Sequence, residues 1–367
     1  MVTVSLTYEL LTSDRQARRG RITTPRGSIE TPVFMPVGTR GAVIHLDQRD
    51  YLDLEIEVVL GNTYHLMLRP GAEIIDALGG IHAFTSWDGH MLTDSGGFQV
   101  MSLNDNVDVD DDGVTFTSIY DGEKLRFTPE DAVSIQERLG ADIQMALDVC
   151  PALPSPESEV LLAVQRTHDW AERAKATHRR SDQALFGIVQ GGIDPSLRSR
   201  SAKGLASLDF PGYGIGGLSV GETHGEMMPA LSAAIAELPK DRPRYLMGVG
   251  DPVRIVDAIS VGVDMFDCVL PTRLARHGTV LTSEGKLNLR NAKHARDDQP
   301  LDPLNPMSNG FSRAYIRHLM QVKEPTAARI ATLHNLWFLL DLVKRARTAI
   351  EEGRYDSFRL ETLEIWA

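Results

Sequence analysis

Residues 143–190 read IQMALDVCPALPSPESEVLLAVQRTHDWAERAKATHRRSDQALFGIVQ and contain one complete strand–helix–strand pattern. Two short apolar runs, Ile143–Asp148 and Phe186–Gln190, enclose a segment, Val160–Ala176, whose apolar residues recur at three- and four-residue spacing. Short apolar runs are typical of buried parallel strands, and that spacing is typical of an amphipathic helix. Each run ends on a polar residue, so the pattern also predicts polar side chains at the carboxyl ends of neighbouring strands.

The same pattern recurs along the chain, with helical segments such as Ala132–Leu139 and Ile255–Val261 between further apolar runs. Eight runs in this order favour an α/β fold of the (β/α)8 TIM-barrel type, and a doubly wound open sheet is the competing arrangement. The eight predicted strands are Pro32–Val37, Val58–His65, Met91–Asp94, Ile143–Asp148, Phe186–Gln190, Gly212–Leu218, Tyr245–Gly248 and Met265–Val269.

Helix starts are marked in four places by a capping side chain followed by proline. The first residue can accept a hydrogen bond from the free helix amides, and proline needs no donor at the first helical position. The four pairs are Thr128-Pro129, Ser155-Pro156, Asp194-Pro195 and Asp251-Pro252.

Two regions depart from the alternation of strands and helices. Residues 104–127 combine an acidic loop with two β-type runs, which predicts a β-hairpin inserted between barrel units. After Val269 comes a basic stretch, and a helical tail follows from about Phe311 to Arg347. We therefore expect a barrel over residues 1–270, and a basic loop with a helical C-terminal subdomain packed on the barrel over residues 271–367.

The composition limits the classes of protein that the chain can represent. Of its 367 residues, 42% are apolar and 24% are charged, so a large core can be buried. A net charge of −12 argues against non-specific coating of nucleic acid, although it leaves room for a local basic face. Cys150 and Cys268 are the only cysteines, which excludes a disulfide framework. With neither a signal-peptide pattern nor an apolar run of about 20 residues, we expect a cytoplasmic protein without a membrane partner.

Polar residues follow most of the predicted strands. An isolated Asp after a strand is more often a helix cap, and a Gly-Gly pair is usually a turn. Because catalytic groups of barrel enzymes lie at the carboxyl ends of strands, several such residues on one rim indicate a site. The strand ends read TDSGGFQ (Thr93–Gln99), LD (Leu147–Asp148), VQGG (Val189–Gly192), GGL (Gly216–Leu218), MGVG (Met247–Gly250) and FDC (Phe266–Cys268).

This set of side chains suits a double displacement at a sugar carbon. One carboxylate attacks the anomeric carbon and another manages protons, as in retaining glycosidases. A third Asp with a Gln and backbone amides can bind the hydrogen-bonding edge of a base. Phe98 and Met247 are candidates to cover its faces, although core packing is the more common role for either residue taken alone.

At this point the chain resembles the bacterial tRNA-guanine transglycosylases over nearly its full length. Several long motifs in the same order carry the resemblance. They are PVGT (Pro36–Thr39), GNTYHLMLRPG (Gly61–Gly71), LTDSGGFQVMSL (Leu92–Leu103), FGIVQGG (Phe186–Gly192), YLMGVG (Tyr245–Gly250), FDCVLPTR (Phe266–Arg273) and SRAYIRHL (Ser312–Leu319).

The resemblance implies an enzyme of queuosine biosynthesis that exchanges guanine at the tRNA wobble position for a 7-deazaguanine. It implies that Asp267 is the nucleophile that forms a covalent ribosyl intermediate, and that Asp94 takes the N9 proton of the incoming base. The implied base-binding residues are Ser95, Gly96, Gly97, Phe98, Asp148, Gln190, Gly217, Leu218 and Met247. The implied RNA-binding residues are Gly248, Val249, Gly250, Asp251, Thr272, Arg273, Leu274, Ala275 and Arg276.

The resemblance also implies the partners. The substrate would be a tRNA with a G-U-N anticodon, and a homodimer is possible. Val43, Cys150 and Val220 are similar to the bacterial form, which takes the small base preQ1 (7-aminomethyl-7-deazaguanine) or guanine and not queuine.

One departure from the family is large. The family binds a structural zinc through a Cys-x-Cys-x2-Cys motif and a later His. Here the matching segment, Asn305–Phe311, contains no cysteine, and His334 is the only ligand position retained. One imidazole cannot hold zinc, so we expect no metal or other cofactor, and His334 as a hydrogen-bonded packing residue.

Two other functions remain open from the sequence. A paralogue with the same base-exchange chemistry would act on another polynucleotide or base, and the altered tail favours this possibility. A non-catalytic RNA-binding partner subunit would be expected to have lost the nucleophile, so the presence of Asp94 and Asp267 argues against it.

Overall fold

The computed structural model of the chain describes residues 5–103 and 107–367. In chain order the strands are β1 (Thr7–Asp14), β2 (Ala17–Thr24), β3 (Gly27–Thr31), β4 (Val33–Pro36), β5 (Val58–Gly61), β6 (His90–Thr93), β7 (Asp108–Val109), β8 (Val114–Thr117), β9 (Lys124–Phe127), β10 (Ile143–Met145), β11 (Ala184–Val189), β12 (Tyr213–Ile215), β13 (Arg244–Leu246), β14 (Met265–Cys268), β15 (Thr279–Thr282) and β16 (Gly285–Asn288).

The helices are placed mainly between the parallel strands and in the C-terminal part of the chain. They are α1 (Gln48–Asp53), α2 (Thr63–Leu68), α3 (Ala72–Ala77), α4 (Gly80–Thr85), α5 (Gly97–Leu103), α6 (Pro129–Leu139), α7 (Glu157–Thr177), α8 (Pro195–Ser207), α9 (His224–Glu237), α10 (Pro252–Ser260), α11 (Leu270–Arg276), α12 (Arg313–Gln321), α13 (Pro325–Glu351) and α14 (Tyr355–Trp366), with a 3-10 helix at Ala292–Arg296.

An eight-stranded parallel sheet forms the centre of the fold, in the order β4-β14-β13-β12-β11-β10-β6-β5. A bridge between Val37 and Leu60 joins the first and last strands, so the sheet closes into a barrel. The predicted (β/α)8 barrel is therefore confirmed, and the open sheet is excluded. All eight predicted strands end one to four residues too late. The largest excess is in Val58–His65: His65 lies in α2, because the chain turns into a helix directly after Gly61.

Three of the four predicted helix starts are confirmed. Thr128, Asp194 and Asp251 each accept a hydrogen bond from the first turn of the helix that follows. The prediction for Ser155-Pro156 is wrong, because Pro156 itself occupies the N-cap of α7 and the Ser155 hydroxyl donates to the carbonyl of Ala152.

The antiparallel sheet β1-β2-β3 covers the amino-terminal end of the barrel and was not predicted from the sequence. Ile22 and Ile29 of this sheet pack in one core cluster with inward-facing barrel residues such as Met265. Asp264, just before β14, accepts a hydrogen bond from Tyr8 at 2.9 Å and pairs with Arg18 at 3.2 Å. With that end covered by the sheet, the carboxyl ends of the strands form the open end of the barrel.

In its described residues, the insertion between β6 and β10 contains three antiparallel strands, β7-β8-β9, where the sequence predicted a two-stranded hairpin. The additional strand, β7, has only two residues and lies within the acidic loop, which is why its sequence carries no β-type pattern. Residues 104–106, at the start of the predicted hairpin, lie outside the described residues.

The predicted helical tail consists of α12 and α13, separated before Pro325, and α14 follows. Helix α13 packs on β4 and on the sheet β1-β2, so the tail is held against the barrel. The domain boundary between residues 270 and 271 remains a prediction, and α11 spans it. Within the described residues, no helix is long and apolar enough to span a bilayer.

Candidate active site

Four polar side chains from different strand ends meet at the open end of the barrel. We call Asp94, Asp148, Gln190 and Asp267 the strand-end cluster; they follow or end β6, β10, β11 and β14, respectively. The amide of Gln190 donates to Asp148 at 2.7 Å, and the charge of Asp267 is close enough to raise the pKa of Asp94. The fold therefore brings together residues that are up to 173 positions apart in the chain, from Asp94 to Asp267.

Asp94 is buried and held by the residues that follow β5. The side-chain amide of Asn62 donates to Oδ2 at 2.5 Å, and the backbone amide of Thr63 donates to Oδ1 at 2.8 Å. Burial, the largest cause, raises the pKa of Asp94 to about 6, and the charge of Asp267 adds to the rise. This carboxyl group can therefore gain and lose a proton near neutral pH.

Asp267 is held through one of its two carboxylate oxygens. The Tyr245 hydroxyl donates to Oδ1 at 2.6 Å, and the backbone amide of Gly248 donates to the same oxygen at 2.8 Å. Burial raises the pKa of Asp267, whereas these two donors lower it. The pKa of Tyr245 is raised far above its usual value by burial and by Asp267, so its hydroxyl stays protonated and remains a donor.

Asp148 and Gln190 form a buried hydrogen-bonding pair beside these acids. Asp148 accepts from the Ser95 hydroxyl at 3.0 Å as well as from Gln190, and burial raises its pKa. Gln190 Oε1 is buried and has no hydrogen-bond partner among residues 5–103 and 107–367. Since buried polar atoms are nearly always paired in folded proteins, an unpaired acceptor beside a cluster of acids indicates a place for a ligand donor.

Gly217 cannot carry a side chain at this position. Its φ is +65°, and a Cβ atom would lie 2.4 Å from Gln190 Oε1. Gly96 has a φ of +81°, and Gly97, which begins α5, approaches the carbonyl oxygen of Asp148. These glycines let the backbone come close to the strand-end cluster and let a flat ligand lie against it.

The apolar residues predicted around the base occupy three different environments. Leu218 is buried, Met247 is half-buried over Gly214 of β12, and Phe98 on α5 is 48% exposed. Phe98 is therefore not a core residue, and its exposed ring stands at the rim of the barrel, where a ligand could be covered.

Arg198 is a residue of this site that sequence reasoning missed. It is fully buried behind the strand ends and donates to the carbonyl oxygens of Val189, Gly192, Gly216 and Gly217 at 2.6–3.1 Å. Burial lowers its pKa to about 10. By holding the carbonyls of Gly216 and Gly217, this guanidinium fixes the direction of the amides on that loop. The sequence did contain one indication that Arg198 is buried. It lies three residues before Ser201 and seven before Leu205, a spacing that places all three on the same, buried face of α8.

The predicted RNA-binding residues lie beside the cluster, but they are not all at the surface. Arg273 and Arg276 on α11 are exposed, as is Gly248. The rest are buried or partly buried, and Asp251 caps α10 and pairs with Lys286 at 3.4 Å. The buried or partly buried members are Val249, Gly250, Asp251, Thr272, Leu274 and Ala275.

The region of the family's zinc site contains a hydrogen-bonded group of neutral side chains. We call Asn305, Ser308, His334 and Asn335 the His334 cluster. The Ser308 hydroxyl lies 2.6 Å from His334 Nδ1, and His334 Nε2 lies 2.8 Å from the Leu281 carbonyl oxygen. Since a carbonyl only accepts, Nε2 is the donor and Nδ1 the acceptor.

The other two members of the His334 cluster are also fully paired. Asn305 donates to the His334 carbonyl oxygen at 2.9 Å. Asn335 accepts from the Leu281 amide at 2.8 Å and donates to the carbonyls of Pro271 and Thr279. Both imidazole nitrogens are occupied and the neighbours are hydroxyl and amide groups, so these residues do not fit zinc, which takes thiolate, free imidazole or carboxylate ligands. Within the described ranges, no three Cys, His, Asp or Glu side chains converge on a possible metal position.

A closed barrel with two buried carboxylates at its open end, and a half-satisfied polar pair beside them, defines a (β/α)8-barrel enzyme with carboxylate chemistry. The family model for queuine tRNA-ribosyltransferase matches residues 13–367. The chain is 51% identical over 364 residues to the queuine tRNA-ribosyltransferase of Moorella thermoacetica, covering 98% of each chain.

Other relatives give the same picture. The protein of that name from Oceanobacillus iheyensis is 51% identical over 359 residues, covering 96% of this chain and 95% of the relative. The one from Rhizobium meliloti is 49% identical over 370 residues, covering 100% and 98%. The chain belongs to the queuine tRNA-ribosyltransferase family, and it is a glycosyltransferase of the pentosyltransferase class.

Proposed function

We propose that this enzyme exchanges guanine at the wobble position of tRNAs with a G-U-N anticodon for preQ1, in the cytoplasm. The observation that carries the proposal is the strand-end cluster, in which two buried acids stand beside an unpaired acceptor, Gln190 Oε1. Sugar-transfer chemistry needs the acids, and recognition of a base edge needs the acceptor.

In the first step, Asp267 attacks the ribose. Because Tyr245 and Gly248 both hold Oδ1, Oδ2 is the oxygen available to attack C1′ of the wobble nucleotide. A bond forms between Oδ2 and C1′, and the C1′–N9 bond breaks with its electron pair going to guanine. Asp94, in its protonated form, donates a proton to N9, and guanine leaves as a neutral base.

In the second step, the same groups act in reverse. PreQ1 takes the place of guanine, and the Asp94 carboxylate accepts the N9 proton of the incoming base. N9 attacks C1′, the ester bond breaks, and the Asp267 carboxylate is regenerated. A pKa of about 6 suits Asp94 to this double role, because both of its protonation states are populated near neutral pH.

Recognition of the base is assigned to the Asp148–Gln190 pair and the Gly217 loop. The Asp148 carboxylate and Gln190 Oε1 accept hydrogen bonds from the donors of the guanine edge, and amides of the loop held by Arg198 donate to its carbonyl oxygen. Phe98 and Met247 cover the faces of the ring. A base that lacks these donors would leave buried acceptors unpaired, which is costly.

The preference for preQ1 over the larger queuine rests on the space beside Gln190. Cys150 is near both Asp148 and Gln190, since Asp148 raises and Gln190 lowers the pKa of its thiol. Val43 is buried, and the backbone amide of Val220 donates to Glu222 at 3.0 Å. Competition between preQ1 and queuine tests this point: equal use of both bases would contradict it.

The test of the proposed function is exchange of radiolabelled guanine into unmodified tRNA. We expect exchange by the wild type, a loss of at least about 1,000-fold in Asp267→Asn, and a comparable loss in Asp94→Asn. The wild type should form a protein–RNA adduct that resists denaturation. Asp94→Asn lacks the proton donor of the first step and should form the adduct far more slowly, and Asp267→Asn should form none.

A matched control is Asp194→Asn on the same rim. Asn caps a helix as well as Asp does, so α8 should be kept and exchange should remain at the wild-type rate. The proposal is wrong if wild-type protein exchanges no base in tRNA under conditions where a relative does, or if Asp267→Asn retains full activity.

We propose further that the C-terminal region folds without zinc, with the His334 cluster in its place. The complete pairing of its side chains supports this, because no ligand position is left free. Metal analysis of protein purified without chelators tests it, and one zinc per chain would refute it.

We also propose a homodimer. Exposed apolar side chains in the C-terminal region support it: the rings of Phe311 and Tyr315 are stacked 6.2 Å apart, Tyr315 is 47% exposed, and Leu304 is 69% exposed. Sedimentation equilibrium of the wild type and Tyr315→Glu provides the test. A monomer for the wild type at micromolar concentration would contradict the proposal.

A further inference from the structure

Two exposed arginines flank one tyrosine on the rim of the barrel, outside the residues assigned above. Arg40 lies beyond the end of β4 and Arg69 beyond the end of α2. The guanidinium carbon of Arg40 is 5.8 Å from the centroid of the Tyr120 ring, and that of Arg69 is 4.8 Å from it. Tyr120 belongs to the turn between β8 and β9, so the inserted sheet is part of this surface.

The two positive charges have no direct ion pair within the part of the chain that the structure describes. Over residues 5–103 and 107–367, neither guanidinium forms an ion pair with a carboxylate, and Asp121 interacts with Arg69 only through space. The Arg69 guanidinium donates to the Tyr120 carbonyl oxygen at 3.4 Å, whereas the described residues give the Arg40 guanidinium no hydrogen bond. Two like charges beside one ring repel each other, and an anion between them would remove that cost.

The pair lies on the catalytic side of the barrel. Arg69 follows α2, whose first residue, Thr63, donates its amide to Asp94. The six residues from Thr63 to Arg69 correspond to a rise of about 9 Å along the helix axis. Arg69 is therefore about 9 Å from the Thr63 amide that contacts Asp94, measured along that axis. Strands β14, β4 and β5 are consecutive around the barrel. Arg273 and Arg276 on α11 follow β14, Arg40 follows β4, and Arg69 follows β5 and α2, so the four arginines lie on adjacent segments of the rim.

The opposite part of the rim has the other sign of charge. The loops after β10, β11 and β12 and the first turns of α7 and α9 line a groove with four acidic residues, Glu157, Asp194, Glu222 and Glu226. Glu222 is paired with Arg254 at 3.0 Å, and the other three have no ion pair among the described residues. In a chain of net charge −12, Arg40 and Arg69 therefore lie on the part of the rim away from this acidic groove. A polyanion that reaches the pocket would be repelled from the acidic half and attracted to the basic half.

We infer that Arg40 and Arg69 form a phosphate-binding site for the tRNA strand, next to the nucleotide whose base is exchanged. The inference rests on the proposed function, because it takes tRNA as the polyanion. Guanidinium groups bind phosphate through paired N–H donors, and Tyr120 holds the two groups on one side of the strand. Contacts of this kind position the RNA without reading its sequence.

The test is the dissociation constant of unmodified tRNA measured over a series of salt concentrations. We expect Arg40→Gln and Arg69→Gln each to weaken binding about 3- to 10-fold, and the double variant about 10- to 50-fold. The slope of log K against log salt should fall by about 0.7 for each phosphate that is no longer bound. The turnover number at saturating tRNA should stay unchanged, with KM for tRNA raised.

Arg179→Gln is the matched control, because Arg179 is equally exposed but lies between α7 and the start of β11, at the other end of the barrel. It should bind tRNA as the wild type does. Arg40→Lys separates charge from geometry and should keep the salt slope. Arg69→Gln also removes the bond to Tyr120, so its melting temperature is measured alongside.

The inference is overturned if the double variant and Arg179→Gln have the same affinity and salt slope as the wild type. It is also overturned if only Arg69→Gln weakens binding and does so together with a loss of thermal stability. In both cases the proposed function stands, provided that the wild type exchanges guanine in tRNA. A wild type that exchanges no base refutes the proposed function itself.

Discussion

The strand-end cluster and the His334 cluster are both buried groups of polar side chains, but their hydrogen bonding differs. In the His334 cluster every side-chain nitrogen and oxygen has at least one hydrogen-bond partner, and all four members are neutral. In the strand-end cluster three members are acids whose pKa values are raised by burial, and Gln190 Oε1 has no partner in the described residues.

This difference separates two uses of buried polarity. A fully paired neutral group costs little to bury and makes the surrounding packing specific. Buried acids with an unpaired neighbour cost stability, and such a cost is retained where a ligand or a transition state supplies the missing partners. Changes in the strand-end cluster should therefore reduce activity more than stability, and changes in the His334 cluster should do the reverse.

Apart from the losses expected for Asp267→Asn and Asp94→Asn, the largest expected effect is the loss of base exchange in Asp148→Asn. The substitution replaces a carboxylate oxygen, which accepts from the Gln190 amide, by an N–H donor, so two donors would face each other. It also removes an acceptor for the base. We expect kcat/KM for guanine to fall about 100- to 1,000-fold, which corresponds to about 3–4 kcal/mol, while the melting temperature changes little. Steady-state exchange and calorimetry measure the two quantities. Unchanged exchange, or a loss explained by unfolding, would contradict the comparison.

The next effect is the loss of stability in His334→Leu. The substitution leaves the Ser308 hydroxyl and the Leu281 carbonyl without partners, so the free energy of unfolding should fall by about 2–4 kcal/mol. Turnover per folded molecule should be unchanged. Urea denaturation measures the stability, and Thr332→Val is the control, because the buried Thr332 hydroxyl has no partner among the described residues and its loss should cost less than about 1 kcal/mol.

The pH dependence of stability should have opposite signs in the two clusters. Burial lowers the pKa of His334 from 6.5 to about 4. Between pH 6.5 and about 4 the imidazole therefore binds a proton in the unfolded chain but not in the folded chain. The free energy of unfolding consequently decreases as the pH falls through this range. Burial raises the pKa of Asp94 to about 6, so the folded chain gains its proton first, and stability rises as the pH falls from 6 to about 4.

Variants separate the two contributions, each of which is on the order of 2 kcal/mol. From pH 7 to pH 4, the loss of stability should be smaller in His334→Leu than in the wild type, and larger in Asp94→Asn. Urea denaturation at several pH values measures the slopes. Equal slopes in all three proteins would show that neither group is perturbed by burial in the way described.

Much of the fold could be predicted from local patterns. All eight barrel strands carry apolar runs, and three of the four Pro-based helix starts were correct because the cap and the proline act within one turn. The sheet β1-β2-β3 was missed because its half-exposed strands lack a continuous apolar run, and its burial depends on residues as distant as Asp264. The start of α7 was misplaced because Ser155 bonds backward to Ala152.

The site was predictable to a smaller degree. Acids at strand ends are visible in the sequence, because barrel topology brings such ends to one rim. The residues that hold them are not: Arg198 and Tyr245 resemble ordinary helix and strand residues until their partners are known. Which atoms remain unpaired is also a property of the packed structure, so Gln190 Oε1 could not be singled out from the sequence.

The smallest effect is expected for Tyr245→Phe, which removes one of the two donors to Asp267 Oδ1. Gly248 still holds this oxygen at 2.8 Å, so the nucleophile keeps its place and exchange should fall only about 10-fold. Because the Tyr245 hydroxyl lowers the pKa of Asp267, its loss should raise that pKa and move the acidic limb of the pH–rate profile to higher pH. A purely structural role for the hydroxyl would lower the rate equally at every pH. A profile of unchanged shape would therefore show that Tyr245 packs against Asp267 without tuning it, and that the strand-end cluster depends on its backbone donors alone.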